Sequence, residues 1–209
     1  MGVEYKEFGY PDAAPAHTAA YLLPAIHKLL PTCDKPQRIL DVGCGNGYIP
    51  GQFLARGHRV VGIDLSPEGI ELARKTYPNG RFELMAADEK LLENLGEAPF
   101  DVVISTEVVE HLYSPRPYAR GCFLALRPGG RFILSTPYHG YWKNLAVAVL
   151  GRFDQHASPL WDGGHIKLWS RNTLSVLLKE AGFENIQFRG AGRLPYLWMS
   201  MVMSGDRPV

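Results

Sequence analysis

Two short stretches of this 209-residue chain carry residues that can do chemistry. The first is Thr106-Glu107-Val108-Val109-Glu110-His111-Leu112. Wound as a helix, it sets Glu107, Glu110 and His111 at i, i+3 and i+4 on one face. Two carboxylates and an imidazole so placed can bind a divalent cation such as magnesium, manganese or zinc. They can also supply a base, and His111 is the first candidate because an imidazole titrates near neutral pH. His139, in Ser135-Thr136-Pro137-Tyr138-His139, is the second. The other stretch is Arg38-Ile39-Leu40-Asp41-Val42-Gly43-Cys44-Gly45-Asn46-Gly47. An apolar run ends in an acid and enters a loop with three glycines, whose backbone can adopt positive φ and come close to a ligand. Asp64 stands roughly twenty residues on, after Arg59-Val60-Val61-Gly62-Ile63, where an acid can accept both ribose hydroxyls of an adenosine. The loop reads Asp-x-Gly-x-Gly-x-Gly rather than the Gly-x-Gly-x-x-Gly of a dinucleotide fold, which disfavours a nicotinamide cofactor.

The glycine loop and its downstream acid resemble the S-adenosylmethionine (SAM) site of class I methyltransferases, over roughly Gln37 to Met203. The resemblance implies that SAM is the cofactor. It sets Asp41, Gly43, Cys44, Gly45 and Gly47 under the methionine and ribose, and Asp64 on the ribose hydroxyls. Asp88 would lie near the adenine amine, Leu65 and Ala87 would flank the ring, and Glu107 would border the pocket. Asp88 can instead be a cap for a helix over Glu89–Leu95. The Glu107–Leu112 stretch resembles the Glu-x-x-Glu-His of ubiquinone-type O-methyltransferases and of small-RNA 3′-terminal methyltransferases. The latter imply a further histidine before the helix that follows strand 5. His165, in Gly164-His165-Ile166-Lys167-Leu168-Trp169-Ser170, stands there, so Glu107, Glu110, His111 and His165 form a candidate metal site. Implied overall is SAM-dependent methyl transfer to a small molecule, at a hydroxyl oxygen. Two alternatives stay open: metal-dependent 2′-O-methylation of RNA 3′ ends, and a SAM-binding module without turnover.

The elements that must position these residues follow from pattern. Apolar runs at Arg38–Val42, Arg59–Asp64, Arg81–Ala86, Phe100–Ser105 and Arg131–Ser135 read as strands, nearly all apolar in the fourth as in a central parallel strand. Helical stretches lie between, from Tyr48 to Ala55 and from Ser66-Pro67-Glu68 to Tyr77. Ser170 caps a helix over Arg171–Ala181 that Gly182 ends. Glu184–Arg189 and Leu197–Met203 complete the strands. The expected fold is α/β: a Rossmann-like, doubly wound, seven-stranded sheet, mostly parallel, with helices on both faces. The family resemblance makes the last strand antiparallel. Upstream, Ala16–Leu30 reads as a helix that Pro24 should kink or divide. Met1–Pro15 is an irregular arm, either a loose terminus or a flap over the substrate. Residues 138–168 break the rhythm after strand 5. They read as an inserted lid whose helix packs Trp142, Leu145, Ala146, Val149 and Leu150 over the pocket. A membrane-interface helix is the rival reading, weakened because only Lys143 and Arg152 are basic nearby.

The bulk numbers set outer limits. The whole chain, 1–209, reads as one domain, with residues 1–36 forming the arm and first helix. A net charge of +1 makes nucleic acid an unexpected partner. Cys33, Cys44 and Cys122 fit neither a disulfide framework nor a zinc spacing, in keeping with a reducing cytoplasm. No apolar run is long enough for a membrane span.

Overall fold

The computed structural model of the chain describes residues 9–157, 160–161 and 163–209. Its centre is a seven-stranded sheet in the order β3-β2-β1-β4-β5-β7-β6. The strands are β1 (Arg38–Val42), β2 (Arg59–Asp64), β3 (Arg81–Leu84), β4 (Phe100–Thr106), β5 (Leu126–Pro137), β6 (Glu184–Ala191) and β7 (Ser200–Asp206). The pairs from β3 across to β5 are parallel, and β7 runs antiparallel to both β5 and β6. The expected Rossmann-like sheet is therefore present, with the last strand reversed.

Side chains of a strand alternate between faces, so neighbours on β1 serve different layers. Ile39 packs with Val60, Ile104, Ile133 and Val202 beneath α1 (Ala19–His27) and α2 (Tyr48–Leu54). Leu40 packs on the other face with Val103, Phe132, Leu174 and Leu178. That face is covered by α4 (Leu91–Leu95), α5 (Pro115–Ala125) and α8 (Arg171–Ala181), while α3 (Pro67–Thr76) lies against β2 and β3. Parallel strands covered on both faces put the carboxyl ends of β1, β2, β4 and β5 along one rim, the place where ligands bind in such sheets.

Four expectations need correction. The Thr106–Leu112 stretch is not a continuous helix: Glu107 sits at φ 54° and only Val109–His111 forms a short 3-10 turn. Helix α1 runs through Pro24 without dividing. Strand β7 begins at Ser200 rather than Leu197, because residues 192–199 form the turn out of β6. The lid helix α6 (Tyr141–Val149) is turned the other way from the expected one. Lys143 is its buried residue, whereas Trp142, Leu145 and Val149 are exposed, as is Leu150 just beyond it. A further short helix, α7 (Phe153–Ala157), follows it. Among the described residues no helix is long and apolar enough to cross a membrane.

Candidate active site

The glycine loop is wired internally. The N–H groups of Gly43 and Cys44 both donate to the Ile63 carbonyl, at 2.8 and 3.0 Å, and Gly47 N–H donates to the Cys44 carbonyl. Gly45 N–H donates to Asp64 Oδ2 at 2.7 Å, and Ser66 N–H donates to Asp64 Oδ1 at 2.8 Å. These amides are spent within the protein, so the loop is not the amide cradle that a pyrophosphate needs. That agrees with the spacing argument against a dinucleotide. Gly43 and Gly45 both hold positive φ. A side chain at Gly43 would strike Val108, and one at Gly45 would meet the Tyr10 ring.

Asp41 is fully buried, and among the described residues neither of its oxygens has a hydrogen-bond partner. Burial, then the nearby charge of Asp64, holds its pKa up to about 8. Asp64 is also raised by burial, against the lowering effect of the amides of Ser66, Gly45 and Leu65. A buried, unsatisfied acid beside a half-buried one with spare lone pairs suits a ligand that brings an ammonium and vicinal hydroxyls. SAM offers both, so these residues fit it. Cys44 turns away from this rim and packs its sulfur in a small core with Ile70, Ala73 and Phe82. Leu65 is exposed and Ala87 half-buried. Asp88 Oδ1 accepts from Lys90 N–H and its carbonyl from Leu91 N–H, a turn that leads into α4, whose N-cap residue is Lys90. Asp88 is exposed there, leaving its second oxygen open toward solvent.

The acid pair at Asp41 and Asp64 gives a pH test. Asp41 has a folded pKa near 8, above its unfolded value near 3.8. The folded state therefore binds an extra proton between these values, and stability from this group is full below about pH 4 and falls as pH rises toward 8, by about 1.4 kcal/mol per unit. Asp41→Asn carries no such slope. The melting temperature of the ligand-free variant relative to the parent should thus climb between pH 5 and pH 8. A difference that stays flat over that range would place Asp41 in an ordinary, solvated setting.

The acceptor side is built on the turn after β4. Ser135 hydroxyl donates to Glu107 Oε1 at 2.8 Å, and Ser200 hydroxyl donates to Oε2 at 3.3 Å. Tyr21 hydroxyl lies 3.4 Å from the Ser200 hydroxyl. Burial raises the Glu107 pKa to about 7, against those two hydroxyls and Lys143. Glu110 is buried, and among the described residues both its oxygens lack a hydrogen-bond partner, with the Thr136 hydroxyl near but outside hydrogen-bond geometry. Burial first, then the Glu107 charge, pushes its pKa well up. His111 Nδ1 lies 2.9 Å from the Gly163 carbonyl and 3.2 Å from that of Gly164. Carbonyls only accept, so Nδ1 carries the proton and Nε2 is the nitrogen left to act. The returning lid segment is pinned to the same turn. Ile166 and Lys167 N–H groups both donate to the Glu110 carbonyl, and Trp169 Nε1 donates to that of Val109. This brings the His165 ring 5.0 Å from the His111 ring.

Glu110, His111 and His165 thereby come together with their ligand atoms within 4.8 Å of one another. Glu107 is not part of that set; its φ turns its carboxylate to the two serines. The His139 ring lies 5.2 Å from the His156 ring, tilted to it by 58°, and burial followed by the Lys143 charge lowers its pKa to about 4. His165 is lowered to about 4 by burial and then His111. Both are neutral at physiological pH, and an imidazole with so low a pKa is a weak base for a hydroxyl. Sequence reasoning missed Ser135, Ser200, Tyr21 and Lys143 in this region. It also missed Asn46, whose Nδ2 donates to the carbonyls of Asp12 and Ala14 and ties the arm over the loop. Of the arm expected to be a flap, the described part covers Gly45 with Tyr10; residues 1–8 lie outside the described residues.

Comparison with known proteins places this geometry. A profile of the family described as methyltransferase domain matches residues 16–188. The ubiquinone biosynthesis O-methyltransferase of Aromatoleum aromaticum is 30% identical over 164 residues, 76% of this chain and 69% of that protein. The protein of the same name from Ruegeria pomeroyi is 31% identical over 179 residues, 82% of this chain and 70% of its own. Among solved structures, the 1,6-didemethyltoxoflavin-N1-methyltransferase of Burkholderia thailandensis, with S-adenosylhomocysteine bound, superposes with a TM-score of 0.61 at 23% identity. The overlap covers 84% of this chain and 72% of that one, and at this identity it speaks for the fold. These relatives lend no support to the RNA-end or non-catalytic alternatives. The chain belongs to the methyltransferase-domain family and is an S-adenosylmethionine-dependent methyltransferase.

Proposed function

We propose that the protein methylates a hydroxyl oxygen of a small molecule. The observation that carries this reading is His111, oriented by the Gly163 and Gly164 carbonyls so that Nε2 is free to take a proton at the carboxyl end of β4. SAM supplies an electrophilic methyl group; the protein's work is to align an acceptor and relieve it of a proton. In this reading Asp41 holds the methionine amine, Asp64 the ribose, and His111 accepts the hydroxyl proton. The O-methyltransferase names of its relatives support the choice of atom. The test is conversion of SAM to S-adenosylhomocysteine over a panel of phenols, catechols, aliphatic alcohols and amines, with the product's methylated atom read by NMR. Methylation of amines alone would overturn it.

A second reading is favoured by one observation, the closeness of Glu110, His111 and His165 with Glu110 unsatisfied. One carboxylate and two imidazoles form a donor set that fits a divalent transition ion or zinc. A cation held there lowers the pKa of a bound hydroxyl, which replaces the need for a base. Activity that survives exhaustive chelation would exclude it.

A further inference from the structure

We infer that Lys143 and Arg193 form a subsite for an anionic oxygen of the methyl acceptor, between the lid and the Glu107 end of β4. This rests on the methyl-transfer reading above for its place in the reaction, though not for its chemistry.

Helix α6 turns its apolar residues to solvent and its one lysine inward, leaving Lys143 7% exposed. An ammonium has three donors. Lys143 Nζ makes one hydrogen bond among the described residues, to the Met199 carbonyl at 3.2 Å. No carboxylate comes within ion-pair distance of it there; Glu107, the acid that attracts it, has both oxygens taken by Ser135 and Ser200. A buried charge so poorly matched costs free energy unless something else completes it.

Apart from Glu107, the charges that act on it have the same sign. The Arg193 charge acts on Lys143, and the Lys143 charge in turn acts on His139, His156 and His165. Burial, then Arg193, holds the Lys143 pKa down to about 8 against the pull of Glu107. Arg193 is placed by a backbone at φ 50°, in the turn that ends at Met199, the residue whose carbonyl receives Lys143. Such strain in a non-glycine residue is found where the surroundings impose a position. A buried ammonium with two spare donors beneath the lid helix, with a second cation in the turn that receives it, calls for a negative oxygen. The oxygen is either the ionised hydroxyl that receives the methyl group or a carboxylate elsewhere on the acceptor.

The experiment titrates protein loaded with S-adenosylhomocysteine against two matched pairs: benzoate with benzamide, and 4-nitrophenolate with nitrobenzene. In at least one pair the anion should bind about 10-fold or more tightly than its neutral partner, the worth of one charged hydrogen bond. The first pair reports a carboxylate, the second a phenolate. The gap should collapse in Lys143→Met, survive in part in Lys143→Arg and shrink in Arg193→Ala, an exposed position whose loss does not threaten folding. No gap in either pair, or a gap that persists in Lys143→Met, overturns the subsite. If S-adenosylhomocysteine itself does not bind, the methyl-transfer reading fails, and the same titrations without it still decide the subsite.

Discussion

Asp64→Ala weakens the binding of SAM and S-adenosylhomocysteine by about 100-fold or more. Two charge-assisted hydrogen bonds hold Asp64 to the backbone, from Gly45 at 2.7 Å and Ser66 at 2.8 Å. Each such bond is worth about 1.5–3 kcal/mol, and removing the acceptor leaves two donors unsatisfied. Gly45 then loses the anchor that fixes its positive φ, and the loop loses the shape on which a ligand lies. The ribose hydroxyls lose their acceptor at the same time. Asp64→Asn separates the two effects, because its amide oxygen keeps one backbone bond. Isothermal titration calorimetry of the parent, Asp64→Asn and Asp64→Ala should give affinities in that descending order. Equal affinities in all three would move the nucleoside elsewhere.

His111→Ala lowers kcat by a factor of about 100 to 10,000, the usual contribution of a placed base, with SAM affinity unchanged. The expected separation follows from the layout. His111 is held by the lid segment through Gly163 and Gly164, whereas the cofactor-side residues hang from β1 and β2. His165→Ala is the companion measurement. If His111 works as a base by itself, losing His165 removes a packing partner and costs about 10-fold or less. If the two imidazoles and Glu110 hold a cation, His165→Ala falls as far as His111→Ala. Single-turnover kinetics with any acceptor from the panel reads both variants.

The sheet was legible in sequence because its strands are buried on both sides. Arg38–Val42 and Arg59–Asp64 have their expected bounds, and so does the capped helix from Arg171 to Ala181. Glycine spacing and two acids sufficed to mark the cofactor side, where function depends on backbone shape. The acceptor side was less legible. Glu-x-x-Glu-His has helical spacing, yet the backbone at Glu107 lies at φ 54°, and no glycine or asparagine signals it. Ser135 and Ser200, which hold that acid, come from strands far apart in the chain and paired only by the fold. The lid misled for a related reason. An apolar stripe normally faces a core, but this helix lies over polar groups, so the lysine goes in and the stripe goes out.

That reversal also sets how the lid should breathe. A helix detached from the apolar interior has little burial to lose when it lifts, so its opening is decoupled from unfolding of the sheet. Amide hydrogen exchange will show it. The amides of Tyr141–Val149 should exchange through local opening, at rates that barely respond to low concentrations of urea. Those of β4 and β5, in the centre of the sheet, should exchange only through global unfolding and slow to the limit it sets. The lid would then be a separately melting unit, able to admit and release small molecules on its own timescale while the cofactor loop stays folded.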